Sequence, residues 1–596
     1  MVIENPIPPF LEWLLPALAT WGIVVGALAT VVALAAFVII TVGHGPGVAV
    51  RRILGAVGEG LEDLVRISPR RVYALAWLSF AETMRRRVWV AVVVYLVILG
   101  FAAWFLKPGN KLEPSHVYLD FLLTATTYLV LWMSLFISVF SLPNDITKKT
   151  IFTLATKPVR TSEIILGRIL GFTAIGTCLL AVMGLMSYVF VVRQLYHTHE
   201  ITAADVVSRG TGQAAQGETS LEMGHRHTFA VDEEGVGFTD PVNGHSHEIT
   251  TEVRDGKTEY TVLGPGALNA KVPIYGALRF RDQAGGAAAH ADNVGDEWSY
   301  REFIEGGTQA AAIWLFTGLT EDRFPDGLTF NMTLEIFRTY KGDVTKRIPG
   351  ELVLRNPKTG YELVAAVFTP VEAPRTHSET VPRILTEQGS VTRSVDLFKE
   401  LVDEGNLEVH IRCIPRQQYY GVGQADLYIV DQPNTFEFNL VKGHLGIWMQ
   451  MMLVCTIGVM FSTFLNGPVS MLAAAAMLVG GYAIPFMRDL LTGEQIGGGP
   501  AESIVRIIQH KDMMTELEPG LYRSVIQAFD AIFQGVLFVV SNIMINLPAL
   551  SDVSWVSSGF DIPINNLLVH MFTAAGYFVP LYLIGHFILR KRELAK

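Results

Sequence analysis

The sequence predicts a polytopic α-helical membrane protein that carries a large, mainly β domain outside the membrane. Only 17% of the 596 residues are charged and the mean hydropathy is +0.35, whereas about a quarter of the residues of a soluble domain are charged. Residues 193–442 are polar, acid-rich and long enough for one large domain or two small ones. The remaining chain holds seven apolar runs, each near or above the ~20 residues that cross a bilayer: 12–42, 88–106, 117–142, 164–192, 443–465, 468–487 and 567–589.

These runs predict seven consecutive parts. The first run is too long for a signal peptide and lacks its basic start, so we expect it to stay as a span. The parts are an N-terminal span (1–45), a basic linker with an interfacial helix (46–87), three core spans with a loop at 143–163 (88–192), an extracytoplasmic domain (193–442), two further core spans (443–487), an extracytoplasmic helix and hairpin (488–566), and the last core span with its tail (567–596).

Lysine and arginine in short loops predict the orientation, because they remain on the cytoplasmic side. Eight arginines lie within 43–87, and the C-terminal tail reads LRKRELAK. We therefore expect a multi-pass protein of the cytoplasmic (inner) membrane, with its C-terminus inside and both the N-terminus and 193–442 outside. A complete crossing by the apolar segment 529–549 would move the tail outside, so we expect a re-entrant or interfacial hairpin there.

One segment of the basic linker has the pattern of a helix in the headgroup plane. Tyr73, Trp77, Phe80 and Met84 recur at helical spacing, and arginines stand at both ends of the segment. An ordinary cytoplasmic linker helix is the alternative interpretation.

The basic loop between the second and third core spans reads NDITKKTIFTLATKPVRTSEIILGR, residues 144–168. Asp145 is expected to cap a short helix that Pro158 ends, and Thr161 or Ser162 to cap the next helix, with Glu163 in its first turn. The loop is thus predicted to be a helix, a turn and a helix. By charge alone, it could also be a topological anchor with no partner.

At these residues the chain resembles the permeases of type-2 ABC exporters, over roughly 70–192 and 443–592. That family carries an acidic residue, Gly-Thr, a Leu-rich turn, Pro-Val-x-Arg, a Glu and Gly-Lys before its third core span. Lys149 stands here where the family usually has glycine, and Arg168 where it has lysine. The residues at the motif positions, that substitution included, are Asp145, Thr150, Leu154, Pro158, Val159, Arg160, Glu163, Gly167 and Arg168.

The resemblance implies a six-span permease core with one added N-terminal span and a domain inserted after the third core span. It implies that the loop, including Lys148 and Lys157, couples to a separate ABC ATPase subunit, and that permeases pair as homodimers or heterodimers. The sequence has no G-x-x-x-x-G-K-[ST] phosphate loop. We therefore expect no enzymatic activity and no cofactor in this chain, with ATP and Mg²⁺ bound by the partner; the cargo is left open.

The inserted domain is predicted to have a His-rich part, 193–260, and a β-sandwich-like part, 260–438, with strands at 270–285, 326–340, 350–372 and 406–430. Two G-H-x-H copies stand twenty residues apart. Because the side chains of an H-x-H strand share one face, His225, His227, His245 and His247 are candidate ligands for zinc, copper or nickel. A metal-free β-hairpin repeat is the alternative.

A second class of function also fits these features. The chain would then be a membrane scaffold or receptor that transports nothing, its β domain binding a ligand of the envelope, with or without a metal. In both interpretations the lipid bilayer is a partner and nucleic acid is not, since the sequence carries no basic arm or nucleic-acid motif.

Overall fold

The computed structural model consists of long helices at both ends of the chain and a β-rich region between them. It describes residues 9–85, 89–105, 114–148, 159–195, 197–202, 206–207, 215–222, 225–231, 236–240, 247–254, 257–265, 269–288, 290–291, 301–325, 327–339, 348–369, 377–387, 393–492, 499–510 and 520–591. The helices are α1 (Phe10–His44), α2 (Pro46–Val65), α3 (Pro69–Met84), α4 (Val90–Phe105), α5 (Pro114–Val139), α6 (Ser141–Thr147), α7 (Thr161–Leu195), α8 (Phe436–Ser462), α9 (Gly467–Tyr482), α10 (Ile484–Thr492), α11 (Pro500–Ile508), α12 (Leu521–Ile543), α13 (Val553–Ser557) and α14 (Ile564–Lys591).

Six helical stretches of the described chain are long and apolar enough to cross a membrane, which fits a multi-pass membrane protein. They are Phe10–His44, Val117–Thr147, Thr161–Arg193, Phe436–Ser462, Leu521–Asn542 and Ile564–Lys591. Two predicted spans, 88–106 and 468–487, contain shorter apolar helices, α4 and α9, of 16 residues each. A break at Ala483 separates α9 from α10, and Pro485 follows it in the first turn of α10, where its missing N–H prevents one continuous helix.

The segment 529–549 differs from its prediction. The hairpin expected within it is absent from the described residues, since α12 runs without a break to Ile543. The first helix-breaking residue, Pro548, comes only after that end, and it begins a short 3₁₀ turn, Pro548–Leu550. A single glycine inside the helix, Gly535, costs only about 1 kcal/mol and does not interrupt it.

Helix α8 forms the centre of the helical region. In its most apolar stretch 78% of the residues are buried, against 0% for α1. α5, α7 and α14 pack around α8. α1 lies at the periphery, where Trp21 Nε1 donates to the carbonyl of Gly576 on α14 at 2.8 Å. The N-terminal helix is therefore an appendage of a bundle built without it.

Helix α3 packs on α7 through two glycines. A Cβ on Gly167 would stand 2.5 Å from the Leu75 Cβ, and one on Gly171 would stand 2.6 Å from the Ala76 carbonyl oxygen. Small residues four apart allow such close helix contacts in membranes. The aromatic stripe predicted for this helix faces outward, with Tyr73 69% and Trp77 59% exposed. Met84 is also exposed, and Phe80 is half-buried and stacks on Trp77.

The β region contains an N-terminal meander and a larger set of sheets. The strands are β1 (Val206–Val207), β2 (Ala215–Glu218), β3 (Thr228–Val231), β4 (Val236–Thr239), β5 (His247–Arg254), β6 (Lys257–Pro265), β7 (Asn269–Tyr275), β8 (Ala277–Arg281), β9 (Ala287–Ala288), β10 (Glu302–Glu305), β11 (Ala311–Phe316), β12 (Gly327–Met332), β13 (Glu335–Arg338), β14 (Gly350–Arg355), β15 (Glu362–Phe368), β16 (His377–Pro382), β17 (Ile384–Glu387), β18 (Arg393–Asp396), β19 (Leu407–Cys413), β20 (Gln418–Val422) and β21 (Leu427–Thr435). Each of the four ranges predicted as strands contains strands.

Strands β1 to β6 form one antiparallel sheet in chain order. The larger part has a six-stranded sheet, β15-β14-β19-β11-β8-β9, a four-stranded sheet, β16-β12-β21-β7, and two smaller ones. Trp314, Phe316, Phe330 and Tyr420 are fully buried in its core. Alternating apolar residues on opposed sheets produce such a core.

The β region joins the helices without a flexible connection, because β21 ends at Thr435 and α8 begins at Phe436. The segment before α14 adds to this joint. The amide of Lys271 on β7 donates to the Gly559 carbonyl at 2.9 Å, and the amide of Asp561 donates to the Lys271 carbonyl at 2.8 Å. The two regions are therefore linked at two places in the chain.

A buried histidine in β19 makes the stability of the β region depend on pH. Burial lowers the pKa of His410 from 6.5 to about 4. Below pH 6.5 the histidine therefore binds a proton in the unfolded chain but stays neutral in the folded chain. The free energy of unfolding consequently falls as the pH falls from 6.5 towards 4. At pH 5 the expected loss is about 2 kcal/mol.

We expect the thermal midpoint of the detergent-purified protein to fall less between pH 7.5 and pH 5 in His410→Gln than in the wild type. His290→Gln, at an exposed position, serves as the control. An unchanged pH dependence in His410→Gln would show that this histidine is not the source.

Candidate functional sites: an anchored loop and a histidine cluster

The residues that resemble the permease motif surround a loop whose centre lies outside the described residues. Lys149, Thr150, Leu154, Lys157 and Pro158 belong to that undescribed centre. On its near side Asp145 is buried and Lys148 is exposed. On its far side Glu163 and Arg168 are buried, while Val159 and Arg160 are half-buried. The motif residues that the structure describes therefore form the two ends of the loop.

Asp145 and Arg168 bring these two ends together. The Arg168 guanidinium donates to the Asp145 carboxylate and, at 2.5 Å, to Ser141 Oγ. Glu82 on α3 lies 3.8 Å from the same guanidinium. Asp145 does not cap a helix that follows it, as predicted, but lies in the last turn of α6. Its carboxylate serves a buried ion pair instead of a helix N-terminus.

Glu163 is the second anchor and is completely buried. Arg71 Nε donates to both carboxylate oxygens at 3.0 and 2.9 Å, and its NH2 nitrogen adds a bond of 2.7 Å. The backbone amides of Ser68 and Arg160 also donate to it, at 2.9 and 3.1 Å. The expected position in the first turn of the third core helix is confirmed. The sequence does not show that this carboxylate also fixes the start of α3.

A third set of charges joins the far end of the loop to α2, and α2 to α14. Arg160 donates to the Asp63 carboxylate of α2 at 2.8 Å, and Arg590 of α14 donates to the same carboxylate at 3.0 Å. Arg590 also bonds Glu59 at 2.6 Å. The far end of the loop is thus held to α2, α3 and α14, and the near end is held to α7.

The second candidate site is a cluster of imidazoles at the entrance to the β region. Four of its rings, His197, His199, His225 and His227, place one nitrogen each within 4.8 Å of all the others. The His247 ring stands 4.9 to 5.0 Å, centroid to centroid, from those of His197, His199 and His227. Only His197 is not fully buried. The cluster therefore gathers imidazoles from three separate stretches of chain.

Backbone carbonyls orient two of these rings. His199 Nδ1 lies 2.8 Å from the Ser220 carbonyl oxygen, and His227 Nδ1 lies 2.8 Å from that of Asp240. A nitrogen facing a carbonyl must carry the proton, so each ring presents the lone pair of Nε2. Ligating histidines in metal sites use the same arrangement.

The sequence contains a signal for His197 and His199, which are not among the four predicted ligands. HTHEIT at 197–202 matches HSHEIT at 245–250 in five of six residues, and HRHTFA at 225–230 is a looser third copy. Equivalent apolar residues of the copies, Ile201, Phe229 and Ile249, pack in one small core. His225, His227 and His247 join the cluster as predicted, and His245 lies outside the described residues.

Burial and the neighbouring imidazoles lower the pKa of His227 to about 4, burial being the larger cause. A neutral ring is the form that binds a metal ion.

Comparisons with known proteins add little to this geometry. No family model matches the chain. No curated protein matches it either. Among solved structures, a xylan-binding module CBM15 is similar over 28% of this chain and 99% of its own, with 11% identity and a TM-score of 0.19. A mutant of Xylanase10C from Cellvibrio japonicus in complex with xylopentaose is similar over 28% of each chain, with 11% identity and a TM-score of 0.18. Similarities this weak carry no inference about a ligand.

Proposed function

We propose that this chain is the membrane subunit of an ATP-binding-cassette transporter of the type-2 exporter kind. A separate ATPase subunit docks on the loop at 143–163, on the cytoplasmic side, and drives movement of a substrate across the cytoplasmic membrane. The observation that carries the proposal is the anchoring of that loop. Both of its ends, which bear the residues of the permease motif, are tied into the helical bundle by charged side chains.

The anchoring suits a loop that transmits force. The Asp145–Arg168 pair closes the base of the loop, so a force that a docked partner applies to the loop moves α6 and α7 together. The ion pair between Glu163 and Arg71 transmits the same force to α3. Packed elements held this way move as rigid bodies rather than deforming continuously. A loop that only set topology would need positive charge but no buried ion pairs.

The charge of the loop suits a docking surface. Lys148, Lys149 and Lys157 add three positive charges to a segment whose acidic residues, Asp145 and Glu163, are both engaged in its anchors. An acidic groove on a partner would complement this basic segment, and complementary charge raises the association rate and fixes the docking register. The permease would act as a dimer, with the substrate pathway between protomers.

Neutralisation of the lysines of the loop tests the proposal. In Lys148→Ala/Lys149→Ala/Lys157→Ala we expect ATPase association to weaken at least tenfold, because the docking surface loses its charge while the anchors stay intact. The measurement is the amount of ATPase subunit, identified by its phosphate-loop sequence, that co-purifies from source membranes at a fixed salt concentration.

A matched control removes equal charge from α2. Arg51, Arg52 and Arg66 are exposed on that helix and at its end, and Arg51→Gln/Arg52→Gln/Arg66→Gln is expected to leave association within twofold of the wild type. Equal binding by the loop variant and the wild type contradicts docking on this loop.

A further inference from the structure

The histidine cluster lies outside the machinery of the proposed function and supports an inference independent of it. We propose that His197, His199, His225 and His227, with His247 beside them, bind a divalent first-row transition-metal ion through imidazole nitrogens alone. The site would cross-link the three H-x-H stretches at the start of the β region.

The distances between the imidazole nitrogens suit a single metal ion. Two imidazole nitrogens bound to one zinc ion at 2.0–2.1 Å stand about 3.3 Å apart in a tetrahedral site. His197 Nε2 and His225 Nε2 are 3.3 Å apart. The four nitrogens of the cluster lie within 4.8 Å of one another, so shifts of about 1 Å or less per ring bring all four onto one ion.

The orientation of the His199 ring also suits a metal ion. The Ser220 carbonyl fixes the His199 proton on Nδ1, and among the described residues no hydrogen-bond partner reaches the buried Nε2 of His199. A buried polar atom left in this way destabilises the fold unless something binds it. Coordination of a cation satisfies it, and the carbonyl partner holds the ring in place.

The backbone contacts around the cluster are repeated together with the histidines. In two of the copies a threonine supports the backbone of the second histidine: the amides of His227 and His247 donate to Thr219 Oγ1 and Thr239 Oγ1, at 3.0 and 2.8 Å. These threonines also stand twenty residues apart. Both the spacing of the histidines and the threonine that supports their backbone are therefore repeated within the chain. This repetition is expected of a binding site and not of an isolated pair of surface histidines.

The chemistry of the ligands selects the metal class. Imidazole suits zinc, copper, nickel and iron, whereas calcium and magnesium require oxygen. The cluster contains no carboxylate or thiolate among the described residues assigned to it. His197 and His199 follow the end of α7 by two and four residues. A bound ion would therefore fasten the end of that helix to the β1–β6 sheet.

Metal titration of the complete chain tests the inference. The protein is purified in detergent with a histidine-free affinity tag, stripped with EDTA, and titrated with ZnCl₂ and CoCl₂ by calorimetry. We expect one ion per chain with submicromolar affinity, and a rise of several degrees in the thermal midpoint, because an ion that binds only the folded state stabilises it. Binding should be about 100-fold weaker in His199→Ala/His227→Ala and unchanged in His290→Ala.

A wild-type measurement keeps the test decisive if the double variant misfolds. X-ray absorption of the zinc-loaded wild type is expected to show at least four nitrogen ligands with imidazole scattering. Failure of the wild type to bind, binding retained by the folded double variant, or a shell dominated by oxygen would each overturn the inference.

Discussion

Replacement of Asp145 by alanine is expected to destabilise the helical bundle by about 3–5 kcal/mol, since it leaves the buried Arg168 guanidinium without its main partner. The thermal midpoint of the detergent-purified protein reports this loss. On the function proposed above, we also expect the variant to lose most of the coupling between ATP hydrolysis and transport, because the base of the loop is no longer closed. ATPase association should then fall less than coupling, because the lysines of the loop are unchanged.

Two comparisons separate the ion pair from a general effect of mutation. Asp145→Ala/Arg168→Met removes both charges and should recover much of the stability, because replacing both partners of a buried pair is far less costly than removing one. Glu62→Ala removes an exposed partner of Arg66 and should cost at most about 0.5 kcal/mol. A midpoint for Asp145→Ala equal to that of Glu62→Ala would show that the buried pair does not hold the loop.

Replacement of Asp561 by alanine should have an effect of similar size at the other end of the bundle. Asp561 accepts from the buried Lys442 ammonium of α8 and, at 3.0 Å, from the Asn434 side-chain amide on β21. Without it, the lysine keeps the hydrogen bond to the Ile562 carbonyl, at 2.8 Å, and the face of the Phe438 ring, whose centroid lies 5.1 Å from its ammonium. We expect a loss of about 3–5 kcal/mol and a separate, earlier melting transition of the β region. Differential scanning calorimetry distinguishes one transition from two.

The matched controls here are Asp561→Asn and Lys442→Met/Asp561→Leu. The first keeps the shape and an acceptor and should cost less than the alanine variant, while the second removes both charges and should recover stability. Asn439 continues to tie the segment, because it donates to the Phe560 carbonyl at 2.7 Å and accepts from the Ile562 amide at 2.9 Å. A single unshifted transition in Asp561→Ala would contradict a stabilising link between the β region and the helices at this position.

Membrane character, the position of the β region and most strand ranges can be predicted from the sequence, since hydropathy over twenty residues and alternation over six are local signals. The place of Glu163 in its first helical turn is predictable for the same reason. The partner of that carboxylate, Arg71, is not, because the two are 92 residues apart and only the packing of α3 on α7 brings them together.

Two predictions are wrong for identifiable reasons. The charge rule favours a hairpin at 529–549, yet the residues between Leu521 and Ile543 contain no helix breaker except one glycine, and local propensity prevails. Asp145 has the residue type of a helix cap, but a buried arginine competes for the same carboxylate. In the histidine cluster, the repeat pattern G-H-x-H omits the copy that begins at His197, because no glycine precedes it.

Site-specific photo-crosslinking shows whether a separate ATPase docks on the loop, as proposed. A photoreactive amino acid is placed at Lys148, which is exposed at the near end of the loop, and at Leu221, which is exposed in the β region. We expect the Lys148 probe to crosslink, in source membranes, to a polypeptide bearing a G-x-x-x-x-G-K-[ST] phosphate loop, with a yield that changes on addition of ATP and vanadate. We expect no such product from the Leu221 probe. Absence of an ATPase adduct at Lys148, or an equal yield from both probes, would contradict this docking.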